Sequence, residues 1–264
     1  MYSRAPDGTA YELTGASDAP VVVLIHGLGL CRHLWVDHMA ALAGRYRVLS
    51  YDLFGHGDSA PLPEDASLSV YAKQIADLMD HLQIEKAAIV GFSIGGMINR
   101  RFAMDFPDRA STLAILNSPH NRGDDAQKQV EERAMKVREQ GGLSTLEAAL
   151  KRWFTRDFLV TGNGAAKVRE WREQVDAESY AQAAWVLANG VRELIAPQTP
   201  IDKPTLVITC ENDSGSTPEM SRDIGAEIDG SETTIIPVLQ HLGLMEDPDA
   251  FTNPILEFLE RKYT

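Results

Sequence analysis

A serine bracketed by glycines is the clearest chemical feature of the sequence. Ser93 lies in the run GFSIGG, after the apolar residues 87–90 and before residues 97–106, which are mostly helix formers. A side chain at Gly91 or Gly95 would collide with the backbone of so sharp a turn, and glycine therefore allows a strained conformation that projects the serine hydroxyl outward. A serine in this setting, between a strand and a helix, is typical of a nucleophile that attacks a carbonyl carbon.

A serine is a weak nucleophile at neutral pH and needs a base beside it, held in place by an acid. Asp213 follows a predicted strand by about three residues, and His241 lies in a loop after the last predicted strand. The order serine, aspartate, histidine along the chain is one of the orders in which catalytic triads occur. We therefore predict that Ser93 is the nucleophile, that His241 accepts its proton and that Asp213 orients the imidazole.

Other polar residues compete for these roles. Glu211 is an alternative acid and, less seriously, so are Asp223 and Asp229. The remaining histidines lie on predicted helices, in glycine-rich loops before the serine, or before any suitable acid. Asp52 and His56 belong to one such upstream loop, where we expect them to satisfy buried amides of the loop itself.

Two backbone N–H groups are candidates for an oxyanion hole, the site that stabilises the negative oxygen of a tetrahedral intermediate. The loop HGLG at 26–29 follows a β-branched run, and its glycines let amides approach a ligand closely. We predict that the N–H of Leu28 and that of Ile94, directly after the nucleophile, donate to this oxygen.

The order of elements that would position these residues indicates an α/β fold. Strands are predicted at 21–25, 47–51, 87–90, 113–116, 204–210 and 233–236, and helices at 31–44, 70–82, 97–106 and 251–262, after an edge hairpin or loop at 1–20. Alternation of this kind predicts a mostly parallel sheet with helices on both faces. Catalytic residues are then expected at the carboxyl ends of the strands.

Residues 120–197 differ from the rest of the chain. They show long helical patterns without a convincing strand and carry 12 basic and 12 acidic residues, whereas the remainder carries the whole net charge of -13. We predict a helical cap at 120–197 inserted into one core domain that is formed by residues 1–119 and 198–264. Most of the aromatic residues in this segment should pack against the core, with Trp153 as the exception that lines a pocket.

Composition limits the classes of partner. The 264 residues are 44% hydrophobic, and no stretch has the length and composition of a signal peptide or of a membrane span. The acidic balance argues against nucleic acid, and no cluster has the spacing of metal ligands. Cys31 and Cys210 are interpreted as small buried residues. We expect a cytoplasmic protein that uses no metal and no cofactor and binds neither nucleic acid nor a membrane.

Five motifs in order resemble the α/β-hydrolase superfamily over nearly the whole chain: HGLG at 26–29, DLFGHGDS at 52–59, GFSIGGM at 91–97, END at 211–213 and HLGLMEDPDAF at 241–251. Within it, SIGGM and the stretch GGLSTLEAALKRWFTRDF at 141–158 are similar to the 3-oxoadipate enol-lactonase group. This resemblance implies a cofactor-free hydrolase of a small ester or lactone, with Trp153 near the substrate.

A substrate of that group would be anionic. Arg133, Arg138, Arg152 and Arg156 could in principle meet its charge, but we expect these arginines to pair with neighbouring acids on the surface, and no carboxylate clamp is assigned.

The leading functional hypothesis is hydrolysis of a small carboxylic ester or lactone through an acyl-enzyme. Two alternatives use the same triad: cleavage of a carbon–carbon bond beside a ketone in ring-cleavage products, and perhydrolysis, in which peroxide replaces water. A third is a receptor whose cap closes on a small molecule. The oligomeric state stays open, with a homodimer among the options.

Overall fold

One continuous sheet positions the residues singled out above. The structure, a computed structural model, describes residues 2–63 and 65–263. The strands are β1 (Ser3–Arg4), β2 (Ala10–Thr14), β3 (Val21–Ile25), β4 (Arg47–Tyr51), β5 (Ala87–Phe92), β6 (Ala110–Leu116), β7 (Thr205–Cys210) and β8 (Glu232–Ile236). They form a sheet in the order β1-β2-β4-β3-β5-β6-β7-β8, parallel from β4 to β8 and antiparallel at the β1 and β2 edge.

The central strands are apolar because both of their faces are covered. Every residue of β3, β5 and β7 is buried, and the bounds of β3 and β4 agree with the predicted strands. Of the two alternatives predicted at this edge, a hairpin or a loop, the structure contains the hairpin, as β1 paired with β2.

Helices flank the sheet on both faces. They are α1 (Val36–Ala43), α2 (Leu68–His81), α3 (Ile94–Asp105), α4 (Asp124–Gln140), α5 (Leu146–Trp153), α6 (Arg156–Thr161), α7 (Gly164–Glu173), α8 (Ala177–Asn189), α9 (Pro218–Glu227), α10 (Gly243–Glu246) and α11 (Pro248–Lys262). Ile75 of α2 and Phe102 of α3 belong to one apolar core, whereas Leu42 of α1 and Phe258 of α11 belong to the other. The predicted α/β architecture is confirmed.

Several helices start earlier than the hydrophobic pattern predicted, and capping explains two of the starts. The hydroxyl of Ser67 accepts from the N–H of Val70, so that α2 starts at Leu68. The carboxylate of Asp247 accepts from the N–H of Ala250 and caps α11. Residues 31–44 were predicted as one helix. In the structure this range contains a short 3-10 helix, Arg32–Trp35, followed by α1, Val36–Ala43.

The inserted segment is helical, as predicted. Helices α4 to α8 all lie between β6 and β7 in the chain. Val137 of α4 packs with Tyr180 and Ala184 of α8, while Phe154 and Trp171 join the core that contains α11. The division into a core and a cap at 120 and 197 stays our prediction.

Two remaining sequence features concern the whole chain. Both cysteines are buried and free of disulfides. None of the helices among residues 2–63 and 65–263 combines the length and the apolar character needed to cross a membrane.

Candidate active site

The turn between β5 and α3 holds Ser93 in a conformation that few residues adopt. Its backbone has φ 59° and ψ -116°, a strained combination for a residue with a side chain. A Cβ at Gly95 would lie 2.5 Å from the carbonyl oxygen of Ile25, and one at Gly91 would collide with the carbonyl of Gly95. The glycines therefore allow the turn by leaving space that a methyl group would fill, as the sequence predicted.

The structure brings Ser93, His241 and Asp213 together although they lie far apart in sequence. Nε2 of His241 is 3.2 Å from Oγ of Ser93, and Nδ1 is 2.6 Å from Oδ2 of Asp213. A carboxylate only accepts hydrogen bonds, so the ring proton belongs on Nδ1 and leaves Nε2 free to accept from the serine hydroxyl. Each of the three follows a parallel strand: β5, β7 or β8.

Asp213 is buried but surrounded by donors. Its Oδ1 accepts from the N–H groups of Gly215 and Ser216, at 2.8 and 2.9 Å, and its Oδ2 accepts from Asn117 Nδ2 at 2.9 Å as well as from His241. Burial alone would raise the pKa of Asp213, but the charge of His241 and these hydrogen bonds hold that pKa below its ordinary value. The carboxylate is thus kept ionised beside the imidazole.

Asn117 is the member of this network that we did not predict. It follows β6, the strand next to β5, and has φ 45°, a region in which asparagine is tolerated better than most residues. Its side chain also donates to Thr209 Oγ1 at 3.3 Å. A polar residue at the carboxyl end of a buried strand was the available signal, since such ends meet at one edge of the sheet.

The two predicted oxyanion donors lie at equivalent places just beyond the ends of two neighbouring strands. Ile25 of β3 pairs with Gly91 of β5, so Leu28 and Ile94 each come three residues after a paired position. Within the described chain, neither of their N–H groups donates to a protein acceptor. Both amides are therefore available to a ligand.

Buried side chains support the loop that carries Leu28. His26 donates from Nδ1 to Gly27 O and accepts the N–H of Leu53 at Nε2, at 2.8 and 2.9 Å. Burial lowers the pKa of His26 to about 4 and that of the adjacent His56 to about 3, which keeps both rings neutral. Neither histidine contacts Ser93.

The expectation for the upstream loop is met by Asp52. Its carboxylate accepts the N–H groups of Arg32 and Asp58, at 2.6 and 2.9 Å, and also pairs with the Arg32 guanidinium. His56 instead contacts a carbonyl, that of Phe54, through Nδ1 at 3.0 Å. Both side chains thus serve the loop, although only Asp52 binds amides.

Trp153 lies beside the imidazole. Its ring centroid is 5.9 Å from that of His241, its side chain is half-buried, and its carbonyl accepts the N–H of Leu242 at 2.8 Å. The indole therefore lies next to the imidazole, on the wall of the cavity described next.

A cavity of about 350 Å³ opens onto Ser93 and His241. Trp153 and Leu28 line it, as do four arginines: Arg122, Arg133, Arg152 and Arg172. Arg138 pairs with Glu178 as expected, at 3.3 Å. The same expectation is wrong for Arg133 and Arg152, because both line the cavity and neither forms a salt bridge with a described residue. It is also wrong for Arg156, which lies outside the cavity lining and has no salt bridge with a described residue.

Across residues 2–63 and 65–263, no cluster of three or more histidine, cysteine, aspartate or glutamate residues has the arrangement of a metal site. Burial raises the pKa of both Cys31 and Cys210 to about 12, so these thiols are poor nucleophiles.

Known proteins resemble this chain in sequence and in fold. A family model described as alpha/beta hydrolase fold matches residues 20–141. The 3-oxoadipate enol-lactonase 1 of Acinetobacter baylyi is 30% identical, over 91% of this chain and 88% of the relative. The (E)-2-((N-methylformamido)methylene)succinate hydrolase of the same organism is 27% identical, over 96% and 94% of the two chains. The solved enol-lactonase of Burkholderia xenovorans has a TM-score of 0.88 and 29% identity, covering 98% of this chain and 100% of that one.

Proposed function

The chain belongs to the alpha/beta hydrolase fold family, and we propose that it is a serine hydrolase that cleaves a small carboxylic ester or lactone through an acyl-enzyme. The observation that carries the proposal is the contact of His241 with Ser93 on one side and with Asp213 on the other. The relatives named as enol-lactonases support the choice of an ester or lactone bond.

Acylation follows from the protonation states described above. The Ser93 oxygen attacks the carbonyl carbon while its proton moves to Nε2 of His241, and the carbonyl oxygen becomes an oxyanion that accepts from Leu28 and Ile94. Asp213 stabilises the resulting imidazolium. When the tetrahedral intermediate collapses, the bond to the alcohol oxygen breaks and Nε2 returns the proton to that oxygen. In a lactone, the released alcohol stays attached to the acyl group.

Deacylation repeats these steps with water. His241 removes a proton from a water molecule as its oxygen bonds to the acyl carbon, and the bond to the Ser93 oxygen then breaks. The imidazolium returns the proton to the serine, and a carboxylic acid leaves. No metal, cofactor or oxidant takes part in this sequence.

Turnover of p-nitrophenyl acetate, butyrate and octanoate, beside a panel of small lactones, tests the proposal. The expected result is a burst of p-nitrophenol followed by steady turnover, and a loss of at least about a thousandfold in kcat for Ser93→Ala. Ser144→Ala is the matched control, because this serine is exposed on the helical segment and bonds only to Gly141 O. Equal rates in wild type and Ser93→Ala would overturn the acyl-enzyme.

The other functions give different results in the same assays. Inactivity on every ester and lactone together with hydrolysis of a ring-cleavage diketone would identify carbon–carbon cleavage, and peroxide-dependent formation of a peracid would identify a perhydrolase. Ligand-induced thermal stabilisation without turnover would identify a receptor.

A further inference from the structure

The cavity is strongly basic in a strongly acidic protein. Four arginines line it, and Asp213, which is already paired with His241, is the one acid among its described lining residues. The whole chain carries a net charge of -13. Guanidinium groups that line one cavity repel one another, and Arg122 and Arg172 also lose hydration through burial, which is costly unless an anion compensates.

The four cavity arginines differ from other arginines of the helical segment in having no salt bridge with any described residue. Arg138, Arg169 and Arg192 form salt bridges with Glu178, Glu147 and Glu131, respectively. None of the four cavity arginines has such a partner in the described chain. The segment as a whole is neutral, but these three glutamates pair with arginines that do not line the cavity, and the four cavity arginines have no salt-bridge partner among the described residues.

Arg172 forms the first of two separate basic centres. It is only 4% exposed, donates to Gly142 O at 3.2 and 3.3 Å through two nitrogens and stacks on Tyr180, with 3.6 Å between Cζ and the ring centroid. Its Nη1 has no hydrogen-bond partner and lies directly against Gly29 of the oxyanion loop. Burial lowers the pKa of Arg172 to about 9, a measure of how poorly its charge is solvated. Arg172 thus lines the cavity and keeps one guanidinium nitrogen without a protein partner, a combination suited to an anionic ligand.

Arg122, Arg133 and Arg152 form the second centre. Arg122 is held by the carbonyls of Leu187 and Ala188, at 3.0 and 3.2 Å, while the other two remain exposed to solvent. The pKa of Arg122 is lowered to about 10, mainly by burial and then by the positive charge of Arg133. The pKa of Arg133 is also lowered, mainly by burial and then by the positive charge of Arg152. The three charges therefore act on one another, whereas the shift of Arg172 has burial as its cause.

We propose that the acyl substrate of this site carries two anionic groups, one bound by Arg172 beside the oxyanion loop and the other by Arg122, Arg133 and Arg152. The inference rests on the proposed function for the reacting bond, but the binding of two anions is a separate property of the cavity. Carboxylates suit both centres because a guanidinium pairs with a carboxylate through two parallel hydrogen bonds. A phosphate group offers the same chemistry, and the experiment separates the two.

Binding to full-length Ser93→Ala protein tests this inference without any need for turnover. Calorimetry compares glutarate, butyrate and inorganic phosphate at constant ionic strength. Glutarate should bind at least about tenfold more tightly than butyrate, since its second carboxylate gains a guanidinium partner. Tighter binding of phosphate than of glutarate would overturn the dicarboxylate assignment, and equal affinities for glutarate and butyrate would overturn the two-anion proposal.

Variants assign the two centres. In the Ser93→Ala background, Arg172→Gln and Arg133→Gln should each weaken glutarate binding, about thirtyfold for the buried Arg172 and less for Arg133, while butyrate changes less. Arg138→Gln is the matched control, because it lies on the same helix as Arg133 but pairs with Glu178 outside the cavity. An equal effect of Arg133→Gln and Arg138→Gln would overturn the role of Arg133.

Turnover distinguishes failure of this inference from failure of the proposed function. Glutarate binding with no hydrolysis of any ester would refute the proposed reaction and leave the two anion centres standing. Rapid hydrolysis of p-nitrophenyl esters without preferential glutarate binding would refute the two anion centres and leave the proposed reaction standing.

Discussion

Asn117 donates a hydrogen bond to Oδ2 of Asp213, the same carboxylate oxygen that contacts His241. The donor distance from Asn117 is 2.9 Å, and the other oxygen is held by two backbone amides. The carboxylate therefore cannot rotate away from the imidazole without losing several hydrogen bonds. We therefore propose that Asn117 is a positioning residue, which would act on a substrate only through Asp213 and His241.

The first prediction concerns Asn117→Gly. Glycine adopts the local φ of 45° without strain, so the change removes the side-chain amide with its hydrogen bonds to Asp213 and Thr209 and leaves the backbone conformation allowed. A hydrogen bond to a charged group contributes ~1.5–3 kcal/mol, and kcat should fall about 10- to 100-fold. The pKa of Asp213 should rise, which moves the acidic limb of the pH–rate profile to higher pH.

Asn212→Ala is the control for this change. Asn212 precedes Asp213 and is exposed, and its amide donates to Val238 O instead of to the carboxylate. An unchanged pH profile in Asn117→Gly would mean that this hydrogen bond has no role in positioning the acid.

The second prediction concerns Trp153→Ala. Loss of the indole beside His241 should lower kcat/KM for p-nitrophenyl butyrate about tenfold, mostly through KM, because an aromatic wall contact contributes ~1.4 kcal/mol. Trp153→Phe should recover most of the loss. Trp185→Ala is the control, since this side chain is 47% exposed and does not line the cavity. Equal losses at the two positions would show that Trp153 has no special relation to the substrate.

The third prediction concerns Gly95→Ala. The added methyl group would meet the carbonyls of Ile25 and His26, at 2.5 and 2.8 Å, and push the end of β3 away from the serine turn. Overpacking of this kind costs about 1–3 kcal/mol, measurable as a lower urea midpoint, and should also reduce kcat because the oxyanion loop begins there. Gly44→Ala is the control, with its nearest contact at 3.4 Å. Wild-type stability and kcat in Gly95→Ala would contradict this account of the turn.

The fourth prediction concerns pH and stability. Burial lowers the pKa of His26 and His38 to about 4 and that of His56 to about 3, from an ordinary value of 6.5. Between pH 6.5 and about 4 the unfolded chain therefore binds protons that the folded chain does not. The histidine contribution to stability is full above pH 6.5 and is lost as the pH falls, by up to about 1.4 kcal/mol per pH unit for each histidine.

Urea unfolding at pH 7.5 and pH 5 measures this slope. The variant His38→Gln should lose less stability over the interval than the wild type, because one buried histidine no longer titrates. His81→Gln, at an exposed position, is the control for the substitution itself. Asp213 does not interfere, since its lowered pKa confines its contribution to the range below 3.8. Identical slopes in wild type and His38→Gln would refute the assignment.

Local constraints explain which features could be predicted from the sequence. The turn at Ser93 is specified by residues within a few positions of one another, since only glycine leaves room for the crossing backbone. Strands such as β3 are β-branched and apolar throughout because both faces are buried, and this pattern is independent of what lies beside them. The proximity of Asp213 and His241 could be predicted because each follows a late strand, and the carboxyl ends of parallel strands meet at one edge of the sheet.

Only the tertiary structure decided which arginines of α4 face the cavity and that Asn117 contacts Asp213. Arg133 and Arg138 lie five residues apart on α4, a helix with charges on most of its surface and only two buried residues, Ala134 and Val137. Five residues correspond to a rotation of about 140° around a helix, so one arginine faces the cavity and the other faces Glu178. The rotation of α4 is set by packing against α8, which composition and periodicity do not specify. Likewise, the contact of Asn117 with Asp213 depends on the pairing of β6 with β7, a relation between distant segments that no local pattern records.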